Sequence, residues 1–404
     1  MLYRRNLKDE HEVFRQSVIR FLKTEVAPHA ERWREQGIVD RGAWLKAGEH
    51  GLLMMWADEK YGGAGVDDLR FDQVMWEEWA RFGDPGFAVS LHSRVVGPYL
   101  NALGTEEQRR RFLPRCVTGD CILAIAMTEP GAGSDLSGMR TRAERMPDGW
   151  RLNGAKTYIS NGILADLVIV AARCDASDPR SVGLFLVERG MHGFERGRTL
   201  KKLGLKAQDT AELFFHDVFV PDANVLGTPG TGLQSLLRFL PVERLMSAIR
   251  SLACASRAVE ITLEFVKQRR VFDRALGAFQ NTRFKLADLS TQVDLCQAFV
   301  DHCVAEHLEG RLTSALAAEA KLAASEIEGR VIDECVQLHG GAGYMEEYEI
   351  CRLYANARVS RIYAGSSEIM REIIGRSLGL DERKLGQAPD PGRTSAREPV
   401  GTQT

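Results

Sequence analysis

The chain has 404 residues, 44% of them hydrophobic and 27% charged, with a formal net charge of −2. A balance so close to neutral excludes a broad nucleic-acid or membrane-binding surface and leaves only local basic clefts for a phosphorylated ligand. The length allows two or three domains and a large core.

No apolar run approaches the roughly 20 residues that a membrane span needs. The opening M-L-Y-R-R-N-L-K-D-E passes straight into a helical pattern with no apolar leader segment, so a bacterial cytoplasmic protein without a cleaved signal is expected. The eight cysteines are scattered, with no CxxC pair, which suits reduced and mostly buried thiols. Cys303 and His307 lie one helical turn apart, with Cys296 and His302 nearby. A zinc site there competes with plain helix core and helix surface, and the plain reading is preferred, so no metal is expected.

Residues 1–121 read as an all-helical domain. Val13, Phe14, Val18, Phe21, Leu22 and Val26 recur at helical spacing up to Pro28. Thr105-Glu-Glu-Gln108 is a capping box before a further helix, and W-E-E-W-A-R-F near residue 79 is also helical. Residues 122–228 change character. C-I-L-A-I-A-M, D-L-V-I-V-A-A, V-G-L-F-L-V-E and A-E-L-F-F-H-D-V-F-V are β-rich segments separated by Gly, Asp, Asn and Pro. No helical segment intervenes, so an antiparallel sheet is expected. Residues 229–381 return to long helices, near 233–270, 280–308 and 313–338, which suits a four-helix bundle. Residues 382–404 are rich in Pro, Gly, Ser, Thr and charge and read as a mobile tail. The fold class expected is therefore α+β.

Five stretches could carry chemistry. T-E-P-G-A-G-S-D (128–135) follows a strand, and Gly131 and Gly133 would let a pyrophosphate approach the backbone; alone, it is a Gly-rich turn. In K-T-Y-I-S-N-G (156–162), alternation puts Tyr158 and Ser160 on one face, where a flat ring could lie; alone, it is a strand ending in a turn. Q-L-H-G-G-A-G-Y (337–344) fits a helix C-cap and would also let a cofactor pass close. In F-L-P-V-E-R-L-M (239–246), Pro241 starts or kinks a turn. Phe239 and Met246 then flank Glu243, so its carboxylate is either desolvated into a stronger base or is half of a solvated surface pair. R-I-Y-A-G-S-S-E-I-M-R (361–371) places only Ala364 and Gly365 where a reactive side chain could stand.

Taken together and in order, A-M-T-E-P-G-A-G-S-D, K-T-Y-I-S-N-G, Q-R-R-V-F, V-Q-L-H-G-G-A-G-Y and I-Y-A-G-S-S-E-I-M-R closely resemble the acyl-CoA dehydrogenase family, over nearly all of residues 8–380. The resemblance implies FAD, an acyl-CoA substrate, a homotetramer built as a dimer of dimers, and electron delivery to an electron-transfer flavoprotein. It implies that the segment holding Ile125, Met127, Thr128 and Ser134 binds flavin and pyrophosphate, with Ser134 also touching the CoA ester. Tyr158 and Ser160 match the strand against the flavin ring. Arg269, Phe272 and Gln280 match residues that reach the FAD of a neighbouring subunit. Gln337, Gly340 and Gly341 match the loop over the adenine half, and Ser366 and Glu368 the last FAD contacts. Two positions depart from the family pattern: Val271 stands where many relatives have Thr, and Asp273 where many have Gly.

In most of the family the residue at Ala364 is the catalytic glutamate. The long-chain and isovaleryl branches resemble this chain in having a small residue there and the glutamate on the helix, where Glu243-Arg244-Leu245 matches. The surrounding L-P-V-E-R-L and L-K-A-Q-D-T-A-E-L-F-F are closer to the long-chain form. The expectation is α,β-dehydrogenation of a long-chain acyl-CoA. Glu243 takes the α-proton and the Ala364 N–H polarises the thioester. Arg244 supports electrostatically, and Tyr363 and Gly365 line the acyl pocket. The alternatives are an isovaleryl or other short branched-chain dehydrogenase, and a catalytically silent flavoprotein that binds acyl-CoA.

Overall fold

A computed structural model describes residue 4 and residues 6–385. The first region holds helices α1 (Asp9–Phe21), α2 (Ala30–Gln36), α3 (Arg41–Glu49), α4 (Leu69–Phe82), α5 (Gly97–Leu103) and α6 (Glu106–Thr118). The spacing that predicts one helix through Val26 is met by α1 and a π-helical turn at Leu22–Val26, and Pro28 sits in a 3-10 turn leading into α2. The capping box is present. Thr105 Oγ1 accepts from the Gln108 N–H at 3.1 Å, and Gln108 Oε1 accepts from the Thr105 N–H at 3.0 Å.

The second region holds strands β1 (Leu123–Ala126), β2 (Arg142–Met146), β3 (Gly149–Ser160), β4 (Leu167–Arg173), β5 (Val182–Glu188), β6 (Phe194–Thr199), β7 (Thr210–Pro221) and β8 (Val225–Leu226). They form one eight-stranded sheet in the order β6-β7-β3-β2-β4-β5-β8, with β1 added on β4. The sheet is mixed rather than purely antiparallel. β1 pairs with β4 in parallel from Leu123↔Leu167 to Ala126↔Val170, and β2 meets β4 in parallel at Arg142↔Arg173. The segment between β1 and β4, which includes the β2–β3 hairpin, acts as the crossover, so a parallel pair forms without an intervening helix.

The third region is built on α7 (Gly232–Gln268), α8 (Gln280–Leu308) and α9 (Ser314–His339), followed by α10 (Glu349–Ala357) and α11 (Ser367–Ser377), which packs on α9. Within the segment expected to be a tail, Glu382–Leu385 is a short helix, α12; residues 386–404 lie outside the described residues. Between α7 and α8, β9 (Arg270–Val271) and β10 (Arg274–Ala275) form a two-stranded hairpin. Among the described residues, no helix is long and apolar enough to cross a membrane.

Three apolar clusters join these regions. One packs α1, α3 and α4 against α7, α8 and α9. It includes Cys296 and Cys303, whose thiols burial pushes up to about 11 and about 12, as expected of core cysteines. A second fills the space between α5, α6, one sheet face and the first turns of α7. The third lies on the other sheet face. Fully buried His92 ties the first region to β1. Its Nδ1 accepts from the Leu123 N–H at 3.1 Å, so Nε2 carries the proton and donates to the Cys116 carbonyl at 2.9 Å. Burial lowers this imidazole to about 4 and keeps it neutral.

Candidate active site

The stretch around Glu243 is one long helix. α7 runs unbroken through Pro241, whose ring removes the donor that would have met the Leu237 carbonyl. The face of α7 that carries Glu243, Ser247, Arg250, Ser251 and Cys254 recurs at helical spacing, and all five are buried. Glu243 is only 7% exposed, so it is not part of a solvated surface pair. Its Oε1 accepts from the Tyr99 hydroxyl at 2.8 Å, and the Tyr99 ring lies 4.3 Å from that of Phe239. Burial lifts the carboxyl from its ordinary 4.5 to about 7, while the Tyr99 hydrogen bond and the Arg244 charge pull it down. Tyr99 is itself pushed far above its ordinary range by burial and by Glu243, so it stays a neutral donor. Arg244 donates from Nη1 to Ser314 Oγ at 3.0 Å, and its buried Nε has no partner among the described residues.

The second element is the turn before α11. Ala364 has φ +52° and Gly365 φ +89°, two successive left-handed residues. Glycine adopts this backbone freely and alanine at a cost. The Ile362 and Tyr363 N–H groups both bond the Val359 carbonyl, whereas the Ala364 N–H has no acceptor among the described residues. Ser366 caps α11 through the Ile369 N–H, and Glu368 lies exposed in its first turn. Lys321 on α9 ties this turn to the bundle. Its Nζ donates to the Gly365 carbonyl at 2.7 Å, and burial, helped by the Arg244 charge, lowers its pKa to about 8.

The third element is the loop after β1. Ile125, Met127 and Thr128 are half-buried and Ser134 is exposed. The loop is pinned from within by Glu129, which accepts from the Arg140 N–H at 2.6 Å and the Thr141 N–H at 2.9 Å. It is pinned to β3 by Lys156, whose Nζ donates to Glu129 at 2.8 Å and to the Met127 carbonyl at 3.0 Å. The Thr157 N–H also bonds the Thr128 carbonyl at 3.0 Å. The simple alternation expected at Tyr158 is broken by a β-bulge between Lys156 and Ile159, with Tyr158 at φ +58°. Tyr158 within the bulge is exposed, Ile159 after it is buried, and Ser160 is half-buried.

These elements fit a dinucleotide carrying a flat ring. A Cβ added at Gly131, Gly133, Gly340 or Gly341 meets nothing within 4 Å, so the backbone there is open to a ligand. Tyr158 is 70% exposed and Phe272 89%, two large aromatics presented outward in strained left-handed backbone, a pattern that gathers at binding sites. Phe272 and Asp273 both have positive φ, at +48° and +58°, as a type I′ hairpin turn requires. Asp tolerates that conformation, so the turn forms without the glycine of many relatives.

The expected cofactor residues fall into three groups, of which Ser366 and Glu368, at the start of α11, are the smallest. Ile125, Met127, Thr128, Ser134, Tyr158 and Ser160 belong to the sheet. Arg269, Phe272, Gln280, Gln337, Gly340 and Gly341 sit at one end of the bundle, where His339 stacks on Phe265 at 4.2 Å and the Phe265 carbonyl accepts from the Arg269 N–H. At a helical rise of about 1.5 Å per residue, Arg269 lies about 39 Å farther along α7 than Glu243.

Three residue sets here carry no assignment from the sequence: Tyr99, the Glu129–Lys156 pair, and the polar stripe Lys321, Ser325 and Glu328 on α9. The stripe had a signal, since polar residues recur at helical spacing on the alanine-rich face that α9 buries. Glu129 and Lys156 lie inside quoted motifs. Tyr99, in G-P-Y-L, has none.

Comparison with known proteins agrees with this layout. The N-terminal, middle and C-terminal domain models of acyl-CoA dehydrogenase match residues 8–120, 124–218 and 230–379. The chain is 48% identical to the mouse (Mus musculus) mitochondrial long-chain specific acyl-CoA dehydrogenase over 94% of its own length and 88% of that protein's. It is 35% identical to a potato (Solanum tuberosum) mitochondrial isovaleryl-CoA dehydrogenase, over 92% and 90%. A crystal structure of acyl-CoA dehydrogenase from Geobacillus kaustophilus superposes with a TM-score of 0.91 at 46% identity, covering 94% of this chain and all of that one. With three domain models matched in order along nearly the whole chain, and a long-chain relative 48% identical over 94% of it, the chain belongs to the acyl-CoA dehydrogenase family of FAD-dependent oxidoreductases.

Proposed function

We propose that the protein dehydrogenates long-chain acyl-CoA to trans-2-enoyl-CoA, with Glu243 as the base. The observation that carries this reading is the Glu243 carboxyl: buried, bonded to Tyr99, and raised to about 7, where it is a competent proton acceptor near neutral pH. When bound, FAD supplies the acceptor for the hydride that leaves the β-carbon. Glu243 takes the α-proton, so both hydrogens of the new double bond are accounted for. The Ala364 N–H donates to the thioester oxygen as negative charge develops there. That role needs only a backbone donor, which explains how a small side chain serves in this position. Arg244 offsets charge beside the base, and Tyr363 and Gly365 line the acyl pocket.

FAD would be held by Ile125, Met127, Thr128, Ser134, Tyr158, Ser160, Ser366 and Glu368 of one chain. Arg269, Phe272, Gln280, Gln337, Gly340 and Gly341 would come from a neighbouring one. The distance along α7 supports this division, because one chain cannot bring both ends of that helix to one flavin. A homotetramer and an electron-transfer flavoprotein as electron acceptor complete the reading. Long-chain preference rests on the higher identity to the long-chain relative than to the isovaleryl one.

The test is an anaerobic titration of the purified holoenzyme with palmitoyl-CoA, following flavin absorbance, beside Glu243→Gln. Bleaching in the wild type and loss of about 10³-fold or more in the variant is expected. Equal bleaching in both would remove Glu243 as the base. Bleaching by isovaleryl-CoA and not palmitoyl-CoA would move the substrate to the short branched class.

A further inference from the structure

The Tyr363–Ala364–Gly365 turn is gripped by two buried cations from different helices. On one side, Arg250 of α7 donates from Nη1 to the Tyr363 hydroxyl at 3.2 Å. Arg250 is itself 3.9 Å from Glu328 of α9, and its guanidinium lies over the Trp76 ring. On the other side, Lys321 of α9 donates to the Gly365 carbonyl at 2.7 Å. All three ionisable groups are buried, Lys321 and Glu328 completely.

This arrangement is costly. An ammonium out of water carries a penalty of several kcal/mol, and Lys321 has no carboxylate within 4 Å among the described residues. Glu328 is buried against the Ser251 and Ser360 hydroxyls and the Arg250 charge, and Nη2 of Arg250 has no hydrogen-bond partner among the described residues. An apolar side chain at each position would pack between α7 and α9 with no such penalty. The polar groups therefore point to a geometric task, and the one structure they share is the strained turn between them. Ala364 sits in left-handed backbone that alanine adopts only when its surroundings enforce it.

We propose that Lys321 and Arg250 are positioning residues that hold the Ala364 N–H toward the substrate thioester by fixing the carbonyl after it and the side chain before it. The assignment rests on the reading of Ala364 as thioester donor. Neither cation touches the reacting atoms. Their effect passes through the turn, so it falls on polarisation of the bound carbonyl and on kcat more than on KM.

The experiment uses FAD-loaded enzyme and trans-2-hexadecenoyl-CoA labelled with ¹³C at the thioester carbonyl. The carbonyl stretch of the bound ligand is read by difference infrared spectroscopy in the wild type, Lys321→Met, Tyr363→Phe and Lys321→Arg, with melting temperatures alongside. A downshift from the free ligand is expected in the wild type. It should shrink in Lys321→Met and Tyr363→Phe, with kcat lower by on the order of tenfold, and be largely restored in Lys321→Arg. Tyr363→Phe removes a single hydroxyl and so reports on the turn even where Lys321→Met folds poorly. A wild-type downshift that persists unchanged in Lys321→Met and Tyr363→Phe overturns the clamp alone. Absence of a downshift in the wild type overturns the Ala364 reading, and the clamp with it.

Discussion

The Tyr99 hydroxyl donates to Glu243 across the boundary between the N-terminal helices and α7, at 2.8 Å. One hydrogen bond thus ties the candidate base to a separate region of the chain. It also sets the base's strength. Burial raises the Glu243 pKa, and the Tyr99 bond is the larger of the two effects that lower it.

Tyr99→Phe should therefore weaken the enzyme at low pH and spare it at high pH. Without the hydroxyl the ionised carboxylate loses a donor, and the pKa rises further above about 7. A hydrogen bond to a charged group contributes roughly 1.5 kcal/mol, which moves a titration by about 1 unit. The acid limb of kcat/KM should shift upward by that amount, with the rate near pH 9 close to wild type. An unshifted limb would place the titrating group elsewhere.

Glu243→Gln should be more stable than the wild type, by a margin that grows as pH rises from about 4.5 to about 7. In the unfolded chain Glu243 titrates near 4.5 and in the folded chain at about 7. Between those values the native state binds more protons, so stability falls as pH rises through the window. The cost is absent below about 4.5 and complete above about 7. Full removal corresponds to on the order of 3 kcal/mol for a group buried this completely. Gln keeps the Tyr99 hydrogen bond and never ionises. Denaturant melts at pH 5 and pH 8 should show a gap that opens with pH; a gap equal at both would contradict the raised pKa.

The long helices, the capping box at Thr105 and the β-rich centre were legible because each depends on local pattern. Helix α8 spans the stretch that spacing alone marks out. The parallel β1–β4 pair was not legible, since pairing is decided by which segments meet after a long excursion. The burial of Glu243 was ambiguous for a related reason: periodicity names a helix face but not what covers it, and the cover comes from Tyr99, 144 positions away. Lys321 was hidden because a lysine in a helix ordinarily reads as solvent-facing. Its role depends on a carbonyl 44 positions later.

The Glu129–Lys156 pair gives a test of how the β1 loop is held. Both side chains are buried, and the contact is 2.8 Å. Burial brings Lys156 down to about 8, against the pull of Glu129. Glu129→Gln leaves the lysine without its charge partner and weakens the acceptor for the Arg140 and Thr141 N–H groups. Breaking one side of such a pair typically costs about 3–5 kcal/mol. The loop carrying Met127 and Thr128 should loosen, and the variant should purify with less flavin per chain, read from the ratio of flavin to protein absorbance. Full flavin content would show that the loop holds its shape without the pair.

Phe272 separates fold stability from assembly. It is 89% exposed in left-handed backbone at φ +48°. An aromatic held there costs about 1–2 kcal/mol, which glycine avoids. If Phe272 served only its own chain, Phe272→Gly should stabilise the hairpin and change nothing else. If it meets the flavin of a neighbouring chain, the same variant should lose flavin and dissociate from tetramer toward smaller species, though its own turn is relaxed. Phe272→Asn gives a second measure, because asparagine tolerates the conformation but offers no ring. Light scattering with absorbance at the flavin band reads both quantities in one run. The expected outcome is loss of flavin and of tetramer in both variants, with secondary structure unchanged. Tetramers fully loaded with flavin would mean that Phe272 contributes nothing across the interface.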